Sequence, residues 1–225
     1  MNRVTAIAAC LFWSYLLPLH AERVGKILYY NGSESAPKSA FIYENGKPFA
    51  EQELPRWHFS PAMEVGNGDL ILTFLAKPLE EGQGIPALAP KVKIPQDWKK
   101  FLLLVFPDEK NSYFPIKVSA INASSNAYKE GDLYFVNYSK ATVFGHIGEK
   151  KLVLKPNSKM ILSDALSGGS GDCAAVLDYF VDDKSKPQRF IRQTWSHSSK
   201  IRRMIFVLPK KGGGISYYGT AVRDL

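Results

Sequence analysis

Between Lys184 and Lys211 the chain places nine Lys or Arg residues and no Asp or Glu: Lys184, Lys186, Arg189, Arg192, Lys200, Arg202, Arg203, Lys210 and Lys211. Trp195 stands among them, and Tyr217 and Tyr218 follow shortly after. If "QRFIRQTW" and "KIRRMIFVL" are neighbouring strands, alternation sends several of these cations to one face, where like charges repel unless an anion relieves them. Aromatic side chains on such a face offer surface for stacking on sugar rings. Arg189, Arg192, Trp195, Lys200, Arg202, Arg203, Lys210 and Lys211 are therefore expected to engage an anionic polysaccharide or other cell-envelope component through salt-sensitive contacts. The competing reading is a solvated basic edge that discourages strand-to-strand aggregation.

Other chemistry has weaker support. Ser170 lies in "LSGGSGDC", but the run lacks the final glycine of a nucleophile elbow and no strand-to-helix turn is expected there. Cys173 could pair with His146 or His197, yet a lone small thiol entering the strand "CAAVLDYF" reads as core. The histidines after the leader, His58, His146 and His197, are isolated, with no ligand spacing for zinc or calcium, so neither a metal nor a cofactor is expected. Phosphate loops and dinucleotide fingerprints need a strand feeding a helix and are absent. No nucleic-acid recognition motif is present either. The alternative to a binding protein is a glycan-active envelope enzyme, with Asp164, Asp172 or Asp178 as acid and base, which requires two carboxylates roughly 5 to 10 Å apart.

The first residues bear on where such chemistry would take place. Met1-Asn2-Arg3 followed by the apolar run Val4 to Leu17, Pro18 and the small residue Ala21 has the layout of a secretory signal peptide cleaved after residue 21. The apolar run is too short for a membrane span. Ile7-Ala8-Ala9-Cys10 has the residue types of a lipoprotein site, but the stretch ahead of Cys10 is shorter than an h-region needs, so cleavage after Ala21 is preferred. The protein is thus expected to be exported, periplasmic or extracellular, with no transmembrane segment in the mature chain. Cys173 then remains as the single cysteine, which rules out an intramolecular disulfide. The net charge of +8 is uneven: residues 22–125 carry 12 basic and 12 acidic side chains, and residues 126–225 carry 16 and 9.

The elements that must position these groups are strands. Runs rich in Val, Ile, Leu, Phe and Tyr recur at short spacing between Gly, Pro, Asn and Asp, and no window keeps a helical period over three turns. Asn45-Gly46 is a type I′ hairpin signal, Gly66-Asn67-Gly68-Asp69 is a similar one, and Asp182 to Ser185 reads as the turn joining "AAVLDYFV" to "QRFIRQTW". "GKILYYNGS" from Gly25 is echoed by "GDLYFVNYS" from Gly131, and "LLLVFP" from Leu102 by "MIFVLP" from Met204. Two matches in the same order at nearly one offset point to a duplicated unit of β-sandwich size, the alternative being one larger sandwich with interleaved halves. The expected fold is all-β: two tandem antiparallel β-sandwich (Ig-like) units, residues 22–124 and a basic unit 125–225, behind a signal peptide 1–21. Lys77 to Asp97, with four prolines and two glycines, is expected to be an edge-covering or partner-binding loop.

The segments "LPRWHFSPAMEVGNGDLILTF", "FLLLVFPDE", "FPIKVSAIN" and "GDLYFVNYSKATVFGHIGEKKLVLKPNSKMIL" together resemble a group of uncharacterised exported bacterial proteins. In that group the second unit repeats a G-x-L-x-F-x-N opening, a G-x-I-G hairpin and an L-x-P step. The resemblance implies tandem β-sandwich units and an exported location. It carries no known activity and no functional residue. The function expected from the sequence is a non-enzymatic binding or structural protein of the cell envelope.

Overall fold

The computed structural model describes residues 23–30, 36–124, 126–167, 169–182, 185–210, 212–223 and 225. The expected leader, Cys10, Lys184 and Lys211 lie outside the described residues. Among the described residues there is no helix. The strands are β1 (Arg23–Tyr29), β2 (Ser39–Glu44), β3 (Lys47–Glu53), β4 (Met63–Val65), β5 (Leu70–Leu75), β6 (Lys91–Ile94), β7 (Lys100–Pro107) and β8 (Ile116–Asn122). They continue as β9 (Leu133–Asn137), β10 (Thr142–Ile147), β11 (Lys150–Leu154), β12 (Lys159–Leu162), β13 (Gly171–Phe180), β14 (Gln188–His197), β15 (Arg202–Pro209) and β16 (Ile215–Val222).

Four sheets of four strands result, ordered β4-β1-β7-β8, β3-β2-β5-β6, β12-β9-β15-β16 and β11-β10-β13-β14. Adding eight to each strand number of the first two sheets yields the last two, and every ladder keeps its direction. The two tandem sandwich units are therefore present and share one topology. All ladders are antiparallel except β1 with β7 and β9 with β15, which are parallel.

The parallel pairs explain the apolar runs. Parallel strands are found where both faces of a sheet are covered, and such strands read as continuous hydrophobic stretches. In β7, Phe101, Leu103 and Val105 face the first unit's core, where Ile27, Tyr29, Ile42, Leu72 and Phe74 pack. Leu102, Leu104 and Phe106 point the other way, into a joint shared with Val136, Met204 and Phe206 of the second unit. The sheets that carry β7 and β15 thus lie back to back. Tyr30 stacks on Phe206 with ring centroids 4.9 Å apart, and Tyr138 meets Phe106 edge-on at 5.0 Å. At the rim, Lys26 Nζ donates to Arg223 O (2.7 Å) and Tyr218 Oη donates to Trp57 O. Tyr128, from the connection between the units, is fully buried in the same joint.

The ladders also set the correspondence between units. Leu28 pairs with Leu104 and Val136 with Phe206, so Leu28 is equivalent to Val136. Tyr30 N and Tyr138 N accordingly donate to the carbonyls of Val105 and Val207, each at 2.8 Å. The openings are therefore offset two residues from the Gly25 to Gly131 match. A shift of two preserves the face of every side chain, which is why the echo is still legible in the sequence.

Asn45 and Gly46 both have positive φ (48° and 83°), as the type I′ hairpin between β2 and β3 requires. Gly66 to Asp69 instead carries the chain from one sheet to the other, between β4 and β5. Two of its carbonyls are held by buried Arg23, whose guanidinium donates to Gly66 O (3.1 Å) and Gly68 O and also to Pro95 O (2.7 Å) and Trp98 O (3.0 Å) between β6 and β7. Three strands give no apolar-run signal: β3 "KPFAEQE", the three-residue β4 and β6 "KVKI". All three lie at sheet edges, where exposed and charged positions are favoured.

Because Phe206 is fully buried between the units, Phe206→Ala should cost about 3–5 kcal/mol of stability. Urea unfolding monitored by circular dichroism checks this, and a loss under about 1 kcal/mol would contradict the back-to-back packing.

Candidate functional site

The basic segment does not form one surface. β14 and β15 are not neighbours: β14 is the edge of the β11-β10-β13-β14 sheet, whereas β15 is internal to the other sheet of the unit. The expected common face therefore has to be corrected. Arg189 and Arg192 project from the outer face of the β14 sheet, where Arg189 is paired with Asp178. Arg202 is buried, its Nε bound to Tyr128 O (2.9 Å) and a terminal nitrogen to Leu225 O (3.0 Å), so it serves the joint and not a surface. Lys210 sits at the opposite end of β15, in the turn where its N–H donates to Gly214 O. Lys200 is exposed in the crossover between the sheets.

Trp195 and Arg203 are brought together. They line a recess of about 360 Å³ between β14, β15 and β16, with Tyr217, Gly219, Thr220 and Arg223. Trp195 and Tyr217 form its aromatic wall, centroids 5.8 Å apart and planes inclined by 39°. Gln193 Oε1 holds that wall in place, accepting from Tyr217 Oη (2.7 Å) and Trp195 Nε1 (3.3 Å). Phe190, edge-on to Tyr217, continues the wall along the seam.

The equivalent seam in the first unit is closed. There Ile94, Val92, Val118, Ala120 and Phe101 occupy the positions of Trp195, Gln193, Tyr217, Gly219 and Arg203. Phe101 is completely buried, and its ring sits over Gly25, where an added Cβ would come within 2.3 Å of it. In the second unit Leu133 stands at the Gly25 position, pairing with Arg203. An apolar core edge in one unit has thus become a cationic, aromatic recess in the other. The guanidinium of Arg203 makes no hydrogen bond or ion pair with a described residue.

The groups around Arg203 report its charge. Burial, followed by the nearby Arg203 cation, lowers the pKa of His197 and keeps its imidazole neutral. His197 is itself buried, and its Nδ1 has no hydrogen-bond partner. The Cys173 thiol is pushed up by burial and by Asp172, with Arg203 opposing. A thiol held protonated is a poor nucleophile. His146 cannot assist it, because His146 lies on the outer face of the sheet and Cys173 on the inner. Ser170 plays a structural part, its Oγ accepting from Ser199 N (3.0 Å) and so tethering the Gly-rich loop to the crossover.

Two of the candidate carboxylates, Asp172 and Asp178, do not converge. Asp172 and Asp178 stand six positions apart on the same face of β13, roughly 20 Å at strand rise. Both glycosidase geometries need less than about 10 Å. Asp164 lies in the loop that follows β12. Among the described residues no group of three His, Cys, Asp or Glu is placed to hold a metal ion. A wider recess of about 770 Å³ lies on the first unit beside exposed Trp57, but its walls mix Lys38 and Arg56 with Glu51 and Glu53, which suits an anion less well.

The depressed pKa of His197 has a consequence for stability. Above its ordinary value of 6.5 the imidazole is neutral in both folded and unfolded chains. Below 6.5 the unfolded chain takes up a proton that the folded one resists, so stability falls with pH until the folded group also titrates. Melting temperatures measured from neutral pH down to mildly acidic pH should drop more steeply for the wild type than for His197→Asn, and parallel curves would contradict the assignment.

No protein-family model matches the chain and no curated protein matches it, so the site is interpreted from its geometry.

Proposed function

We propose that the protein is an exported, non-enzymatic binding protein of the cell envelope whose second unit engages an anionic polysaccharide or envelope polymer in the Trp195–Arg203 recess. The observation that carries this reading is the exchange of Phe101 for Arg203 at equivalent positions of the duplicated unit. A half-exposed cation with no ion-pair partner stays available to an incoming anion. Arg203 finds no partner within the described chain, so an incoming anion would supply one. Trp195 and Tyr217 provide a flat wall against which a sugar ring can lie, and Arg223 adds a second guanidinium at the rim. The ligand is thus expected to combine a carboxylate, sulfate or phosphate with a ring. The alternative, a glycan-active enzyme, has less support, since Asp172 and Asp178 stand six positions apart on β13 and Asp178 is engaged by Arg189.

The test is retention of the mature protein on acidic and neutral polysaccharides and cell-wall fractions at low and high salt. Binding should be confined to acidic members and weaken as salt rises. Arg203→Gln should reduce it at least ~10-fold and Arg203→Lys should retain most of it. Trp195→Ala should cost roughly 1–3 kcal/mol of binding through lost stacking. Equal retention of wild type and Arg203→Gln would sink the proposal.

A further inference from the structure

The two units also differ on their outermost faces. In the first unit, the connection between β5 and β6 crosses the outside of the β3-β2-β5-β6 sheet, where Leu79, Ile85 and Ala89 pack over Phe41, Tyr43 and Leu75. It is pinned by Leu79 N, which donates to Tyr43 Oη (2.9 Å). This is the Pro-rich segment expected to be an edge-covering or partner-binding loop, and it covers a face of the sheet. The ladders make Phe144, His146 and Asp178 the second unit's counterparts of Phe41, Tyr43 and Leu75. There the corresponding connection, between β13 and β14, spans only residues 181–187, against 76–90 in the first unit. Phe144, Val176 and Phe180 remain partly exposed, Phe144 and Phe180 touch each other with centroids 5.5 Å apart, and Val153 is 62% exposed.

In the two rows at the centre of this face the unpaired charge is positive. Lys151, His146, Val176 and Arg192 form one row across the four strands, and Val153, Phe144, Asp178 and Arg189 form the next. The one carboxylate in these rows, Asp178, is already paired with Arg189. Lys151 and Arg192 make no ion pair with a described residue.

We propose that this face docks an extended segment of a partner protein that carries both apolar and acidic side chains. Such a segment would lie across the sheet as residues 77–90 lie across the first unit, with its carboxylates at Lys151 and Arg192. A second copy of the same chain would have to set carboxylates against Lys151 and Arg192, and the two rows offer only Asp178, already paired with Arg189. A bare polysaccharide would leave Phe144, Val153 and Phe180 without apolar cover. The surface is distinct from the Arg203 recess, since it lies on the opposite face of the β14 sheet.

The experiment uses the mature protein and three sets of soluble fluorescent peptides, each about as long as the segment that covers the first unit, read by anisotropy. One set alternates Leu or Ile with Asp or Glu, one replaces the acids by Lys, and one is acidic without apolar residues. Only the first set should bind. Val153→Glu and Arg192→Glu should each weaken it at least ~10-fold without lowering the melting temperature, since both positions are exposed, whereas Arg203→Gln should have no effect. Three results would overturn the proposal: no preference for the acidic and apolar set, binding that survives both substitutions, or self-association of the free protein that Val153→Glu dissolves.

Discussion

Burial of β7 and β15 on both faces is the constraint around which the molecule is organised. Each strand contributes alternate side chains to its own sandwich and the remainder to the joint between units, so neither face can meet water without exposing a row of Leu, Met or Phe. That constraint places the two central sheets back to back and explains why the strongest repeat in the chain is an unbroken apolar run. It also draws in polar groups that the burial would otherwise leave unsatisfied. Arg202 and Lys26 find main-chain carbonyls at the rim, and Asn137 binds the carbonyls of Ala141, Leu154 and Lys155 where β9 ends. Buried polar atoms with such partners cost little, and without them each would cost on the order of 1–3 kcal/mol.

With the centre held in this way, the outer layers are free to diverge. The first unit closes its seam with apolar side chains and covers its outer face with its own chain. The second unit opens its seam around Arg203 and leaves its outer face bare. The two copies of the fold thus differ: the first seals its seam, and the second keeps Arg203 without an ion pair and Trp195, Tyr217, Phe144 and Phe180 half-exposed. Departures from good packing that lack an internal compensation are where binding sites are generally found.

Electrostatics follow the same division. The second half of the chain holds nearly all the excess positive charge, yet its cations take up different roles once the fold separates them. Arg202 is a structural group, Arg189 is neutralised by Asp178, Lys210 belongs to a distant turn, and Arg203 stands beside Trp195. The Arg203 field also reaches inward, helping to keep His197 neutral. A charge that acts on a buried neighbour contributes to the interior as well as to the surface.

Strand character, the duplication, the Asn45-Gly46 hairpin and the asymmetry of charge are all written in the order of the residues. They follow from local rules, because alternation, apolar runs and turn chemistry act within a few residues of each other. Edge strands such as β3 and β6 escaped because an exposed edge has no apolar period to read. Trp195 and Arg203 were legible as candidates, but nothing local could separate Arg203 from Arg202. Adjacent strand residues point to opposite faces, and which face is joint and which is recess depends on how whole sheets stack. Gln193, Gly219 and Arg223 carry no signal in the sequence at all, because their place in the recess comes from β14 and β16 lying in different sheets. The division of the basic run among a joint, an ion pair, a turn and a cleft came from the folded molecule, since sheet stacking is what brings residues distant in the chain into one site.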